Sequence, residues 1–136
     1  MLDIQNVEKS LLNATGKFEY TVDGGAVVVP AYKYAHFDSE GDAYAVFIGR
    51  NTSTINNETG VYVSFQNTPD FWGVDVPLGD NVTASYRMLG SNWEGQTGSV
   101  TGFFRTSERR AIIQFDFMAH RASSSLHIKG SFILSV

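Results

Sequence analysis

From Lys17 onward the chain alternates between apolar and polar positions. "KFEYTV" sets Phe18, Tyr20 and Val22 against Lys17, Glu19 and Thr21, the period-two pattern of a strand with one buried face. The same rhythm returns in "RAIIQFDFMAH", where Ala111, Ile113, Phe115 and Phe117 share a face, and in "LHIKGSFILSV", where Phe132, Leu134 and Val136 do. Between them lie "AVVVPAYKYAHF", "YAVFIGR", "VYVSFQN", "VTASYRML" and "SVTGFFR", which makes eight strands. The separators have turn chemistry. "DGG" at 23–25 suits a tight hairpin because Asp-Gly tolerates positive φ. "DSEGD", the ten-residue "NTSTINNETG", the Gly-rich "GSNWEGQTG", "TSER" and "RASSS" follow in order. Pro30 marks an edge, a bulge or a bend, since proline cannot donate to a ladder.

Strands joined by short reversals, with no crossover helix between them, predict an all-β fold. The expected architecture is an antiparallel up-and-down meander of eight or nine strands, closed as a barrel or folded as a sandwich. The barrel is preferred because closure removes exposed edges. Ahead of the strands, "MLDIQNVEKSLLNATG" places Ile4, Val7, Leu11 and Leu12 on a helical stripe closed by Gly16. That spacing predicts a short N-terminal helical segment over 1–16, packed on a single β-domain over 17–136.

The stretch "TPDFWGVDVPLGDN", residues 68–81, controls where the later loops point. Alternation in "VDVPL" favours a ninth strand through Val74, Val76 and Leu78, with "LGDN" as its hairpin turn. A structureless loop of that length is uncommon in a compact domain. Counting reversals with the ninth strand included gathers His36, Asp38, Glu40, Asp42, Trp72, Trp93, Glu94 and His120 at one end. If 68–81 is one long loop, Trp72 and Trp93 part to opposite ends.

The 136 residues suffice for one domain with a substantial core, supplied largely by ten Phe and six Tyr. A net charge of −4 argues against a phosphate-reading nucleic-acid binder. The charge is uneven: residues 1–80 hold eleven acids and four bases, and residues 81–136 hold three acids and six bases. In a meander this is read as a balance between neighbouring strands before it is read as a docking surface. The absence of cysteine excludes disulfides, thiolate catalysis and cysteine–zinc sites. No secretory signal is present and no run approaches the length of a membrane span, so the compartment is left open: cytoplasmic, or secreted with its signal removed.

Trp72 and Trp93 lie among Gly and polar residues, as do aromatics that offer a flat face to a sugar ring. Alternatively each plugs a barrel end, with its indole N–H satisfied internally. Asp70, Asn92, Glu94 and Gln96 are the candidate hydrogen-bonding partners around them. "DSEGD" spaces carboxylates like a calcium loop but lacks the later bidentate acid, and reads as a solvated acidic turn. His120 and His127 flank "RASSS" without a clear third ligand, so no metal or cofactor is implied. No nucleophile elbow or phosphate loop is present, and no catalytic residue is assigned. "RTSERR" brings Arg105, Arg109 and Arg110 to a hairpin tip, either an ordinary charged turn or a clamp for an anionic partner.

"ATGKFEYTVDGG" near the start and "GSVTGFFRTSERRAIIQFDFMAHRASSSLHIKGSFILSV" at the close resemble small all-β bacterial proteins of unknown function. Those open with a G-x-F-x-x-x-x-D-G strand pair and are similar in outline to lipocalin-like barrels and β-sandwiches. The resemblance covers the first hairpin and the last three strands, rests on turn glycines and core aromatics, and implies fold only. The expected function is a non-enzymatic binding module whose loop aromatics take a carbohydrate or other small molecule. Two alternatives stand beside it. One is a small barrel enzyme using Tyr34, Tyr86, His36 or Asp116 in an internal cavity. The other is a structural protein that pairs an edge strand near Pro30 or Pro77 with another chain.

Overall fold

The computed structural model describes residues 11–38 and 44–136. Ten antiparallel strands form one nearly closed, barrel-like sheet: β1 (Leu12–Asn13), β2 (Thr15–Val22), β3 (Tyr32–Asp38), β4 (Tyr44–Arg50), β5 (Gly60–Gln66), β6 (Asp70–Pro77), β7 (Val82–Met88), β8 (Ser91–Arg105), β9 (Arg110–Arg121) and β10 (Ser124–Ser135). The order is β1-β3-β4-β5-β7-β8-β9-β10-β2, with β6 paired to β8 off this path.

The chain from Leu12 to Val22 joins the two edges of that order. Leu12 and Asn13 pair with Ala35 and Tyr34 of β3, and Thr15–Val22 pairs along β10 from Ser135 to Ile128. The Ala14 amide donates to the Lys33 carbonyl at 3.0 Å and the Lys33 ammonium to the Gly16 carbonyl at 2.9 Å. The predicted helix is therefore corrected over 11–16, which is extended; its first ten residues lie outside the described residues. Unpaired donors and acceptors on β3 and β10 reward an extended partner more than one short amphipathic turn would repay. The "DGG" turn does form, with Asp23 and Gly24 at φ 51° and 69°. Its hairpin stops after the single Tyr20–Val28 bridge, because β2 is committed to β10 and β3 begins only beyond Pro30.

Ring contacts close the interior. Phe47 of β4 and Phe132 of β10 have centroids 5.0 Å apart, although their strands are five places apart in sheet order. In a flat sheet that separation is roughly 24 Å, so the sheet must curl for the rings to touch. Phe18 stacks on Phe132 at 5.2 Å, and Phe104 meets Phe65 at 4.9 Å. A Cβ on Gly49 would strike the Phe18 ring; the bare backbone of β4 is the seat for that ring.

β3, β4 and β5 bury both faces. Tyr34, Val46, Ile48 and Tyr62 form a second small core on the outside, which explains the unbroken apolar run of "YAVFIGR". Loop 51–59 folds over it, held by two charged residues each only 1% exposed, Arg50 and Glu58. The Arg50 guanidinium donates to the carbonyls of Thr52 and Ser53, each at 3.0 Å, and to the Tyr62 hydroxyl at 3.2 Å. The Glu58 carboxylate accepts from the Arg87 guanidinium at 3.0 Å and from Tyr62 at 3.3 Å. Both buried charges are thus hydrogen-bonded, and Glu58 is also ion-paired with Arg87, the condition for tolerating them inside a protein.

Truncation at the closing contact, Phe47→Ala, should cost about 3–5 kcal/mol in urea unfolding. A loss under about 1 kcal/mol would mean that the barrel does not depend on it. Burial, with the Tyr86 charge second, pushes the Tyr20 hydroxyl up to about 12; burial does the same for Tyr62 against the opposing pull of Arg50. Both values are raised, so the stability linked to them is full below pH 10, the ordinary tyrosine value, and is lost as pH rises from 10 toward 12. Absorbance titration of the phenols should show a delayed set that ionises together with unfolding.

Candidate functional site on the outer sheet face

Residues 70–77 do form a strand, but one that already contains Trp72. It starts no hairpin. β6 pairs with Ser99–Arg105 of β8, while β7 pairs with Ser91–Glu94 along the same edge of β8. Both run antiparallel to β8, so the chain keeps its direction through 78–81 and that segment adds no reversal. The expected "LGDN" hairpin is replaced by a step between two strands: the Leu78 amide donates to Gly98 at 3.1 Å and the Gly79 amide to Val82 at 2.9 Å.

The stretch predicted as the Gly-rich loop "GSNWEGQTG" is the first half of β8, entered by a turn at Leu89 and Gly90. This long strand must bend around the barrel. A bulge at Gln96 and glycines with φ of 135° at Gly98 and 141° at Gly102 provide the curvature. A side chain on Gly102 would drive into the Ile112 carbonyl.

These positions separate the candidate residues. Trp72 lies opposite Phe103, ten residues along β8 from Trp93. The indole of Trp72 is 81% exposed, whereas Trp93 sits opposite Tyr86 and packs against the core. Asn92, Glu94 and Gln96 are exposed near Trp93. Asp70 belongs with Trp72, where its carboxylate accepts the Thr106 amide at 3.0 Å. The expected common rim of two indoles is therefore absent. The remaining members of that grouping divide: Glu94 lies opposite His120 beside Trp93, whereas His36 stacks on Tyr44 at 5.2 Å with Asp38 opposite Tyr44, and Glu40 and Asp42 lie outside the described residues.

What the fold does gather is a row across the outer face. Trp72, Phe103, Ile112 and Ile133 are successive cross-strand neighbours on β6, β8, β9 and β10. Their chain neighbours Phe71, Phe104, Ile113 and Phe132 turn inward to the core. On one side of the row, a groove of about 580 Å³ is lined by Asp70, Trp72, Phe103 and Arg105. On the other, a groove of about 420 Å³ is lined by Asp75, Thr101, Gln114, Asp116, Lys129 and Ser131. Asp75 sits in a β6 bulge with φ 49°, its amide donating to the Thr101 hydroxyl at 2.8 Å. Asp116 lies 2.6 Å from His127 Nε2.

The polar wall was missed although "SVTGFFR" reads as a strand: alternation turns Ser99, Thr101 and Phe103 outward, but only the cross-strand register sets Ser99 and Thr101 beside Asp116 and Gln114, with Lys129 and Ser131 beyond. Among the described residues there is no cluster of three or more metal-ligating side chains. The enzyme alternative's residues are dispersed: Tyr34 donates its hydroxyl to Ser53 at 3.1 Å in the second core, Tyr86 packs on Tyr20 inside, and Asp116 is on the outer face. No described helix is long and apolar enough to cross a membrane. No protein family matches the chain, and comparison with curated proteins and with solved structures returns no similar protein.

The two indoles should differ in solvent access. In Trp93→Phe, the remaining emission from Trp72 should lie to the red and be quenched readily by acrylamide. In Trp72→Phe, emission from Trp93 should lie to the blue and resist quenching. Equal quenching of the two variants would contradict this placement.

Proposed function

We propose that the protein is a non-catalytic binding module that holds a saccharide against the outer face of β6, β8, β9 and β10. The observation that carries this reading is the exposed Trp72 indole at the end of an apolar row, with polar side chains on both sides. An isolated exposed hydrophobe needs no explanation, but a contiguous row crossing four strands marks an interaction surface. A sugar ring presents an apolar C–H face that suits a flat indole, while its hydroxyls need paired donors and acceptors. The hydroxyls of Thr101 and Ser131, the Gln114 amide and the carboxylates of Asp75 and Asp116 supply these beside the row. This retains Trp72 and Asp70 from the expected set and assigns Trp93 to packing.

The test is a panel of oligosaccharide hexamers titrated by calorimetry. Trp72→Ala should weaken binding about tenfold or more, the equivalent of about 1.4 kcal/mol, with a midpoint of unfolding close to that of the parent. Trp93→Ala should instead destabilise the fold by about 1–3 kcal/mol and leave affinity below its melting range unchanged. Full affinity in Trp72→Ala removes the reading.

A further inference from the structure

We infer that the saccharide is anionic, and that Arg105 and Arg110 receive its carboxylate or sulfate groups. This rests on the saccharide reading above and adds the chemical class. Arg105 and Arg110 are direct cross-strand partners at the β8–β9 hairpin, and Arg109 occupies the turn between them with φ 53°. Like charges placed opposite each other weaken a strand pair, and no carboxylate among the described residues is ion-paired with any of the three. Asp70 is the cross-strand partner of Arg105, but its carboxylate accepts the Thr106 amide. Glu108, the other acid on this rim, is exposed in the turn.

Two further observations point the same way. Arg105 lines the same groove as Trp72, so a ring stacked on the indole brings its substituents to a guanidinium. The sheet order also keeps β7, β8, β9 and β10 contiguous. Residues 81–136, with three acids and six bases, therefore lie together, bordered by β6 with its Asp70 and Asp75. At the hairpin rim the excess is positive, with Arg105, Arg109 and Arg110 against Asp70 and Glu108, and such an excess attracts an oppositely charged ligand. The planar guanidinium fork matches carboxylate and sulfate oxygens better than a lysine would.

The experiment titrates the full chain with four hexasaccharides: a galacturonate hexamer, a heparin-derived hexamer, and neutral hexamers of glucose and of N-acetylglucosamine. At least one anionic hexamer should bind about tenfold or more tightly than either neutral one, and should weaken as sodium chloride rises from about 50 to about 500 mM. The galacturonate and heparin arms distinguish carboxylate from sulfate. The double variant Arg105→Gln/Arg110→Gln, altered at two exposed positions, should keep its melting temperature and lose the anionic preference. Trp72→Ala should weaken whichever hexamer binds. Equal affinity for neutral and anionic hexamers, or an unchanged preference in the double arginine variant, overturns the inference and leaves the saccharide reading standing. Binding of no hexamer overturns both.

Discussion

The contact between Phe47 and Phe132 sets the terms for everything outside it. Rings from strands five places apart meet only if the sheet curls on itself. The curl is then filled by further phenylalanines from β2, β5, β8 and β9. Packing of this density leaves little slack, and each tilted or edge-on ring pair adds about 0.5–1.5 kcal/mol beyond burial alone. A barrel stabilised in this way has committed its inward residues to structure. Outside β3–β5, whose outer face is itself buried, alternate strand residues face solvent and are not committed to the core.

That division explains why the proposed binding surface crosses strands rather than following loops. Trp72 and Ile133 are far apart in sequence but belong to one row, because β6, β8, β9 and β10 are in register there. Residues held on paired strands are positioned more rigidly than residues on loops, and a rigid platform loses less entropy when a ring stacks on it. The other side of the barrel is used differently. There the outer face of β3–β5 is sealed by loop 51–59 through Arg50 and Glu58, and its exterior serves as a second core.

Much of the fold was legible in the sequence because alternation reports burial directly. Phe18 and Tyr20, the Ala111-to-Phe117 series, and Phe132 with Leu134 all face inward as their spacing indicates. The strand through Val74 and Val76 was legible as a strand, but a bulge between Gly73 and Val76 breaks its alternation, leaving Val74 exposed while Val76 packs against the core. Two kinds of feature were not legible. Local pattern says nothing about which strand pairs with which, so β2 joining β10 across more than a hundred residues left no mark near "DGG". Direction through 78–81 was equally hidden, since "LGDN" has hairpin chemistry but β8 already offered an edge long enough for both β6 and β7. Glycines misled in "GSNWEGQTG", where they serve strand curvature rather than a loop. The site followed these errors: a miscounted reversal moved Trp93 to the wrong company, while Trp72 kept its solvent-facing character.

The double role of residues 12–22 bears on how the molecule is made. This segment touches β3 at one end and lies along β10 for the rest, so its main partner follows it by more than a hundred residues. Until β10 emerges, the apolar side of Phe18 and Tyr20 has no neighbour along most of its length, and the growing sheet has two raw margins. Long-range closure of this kind slows folding and lengthens exposure of sticky intermediates. The nascent polypeptide is accordingly most vulnerable to self-association until β10 has emerged from the ribosome, and ring closure ends that window in a single step.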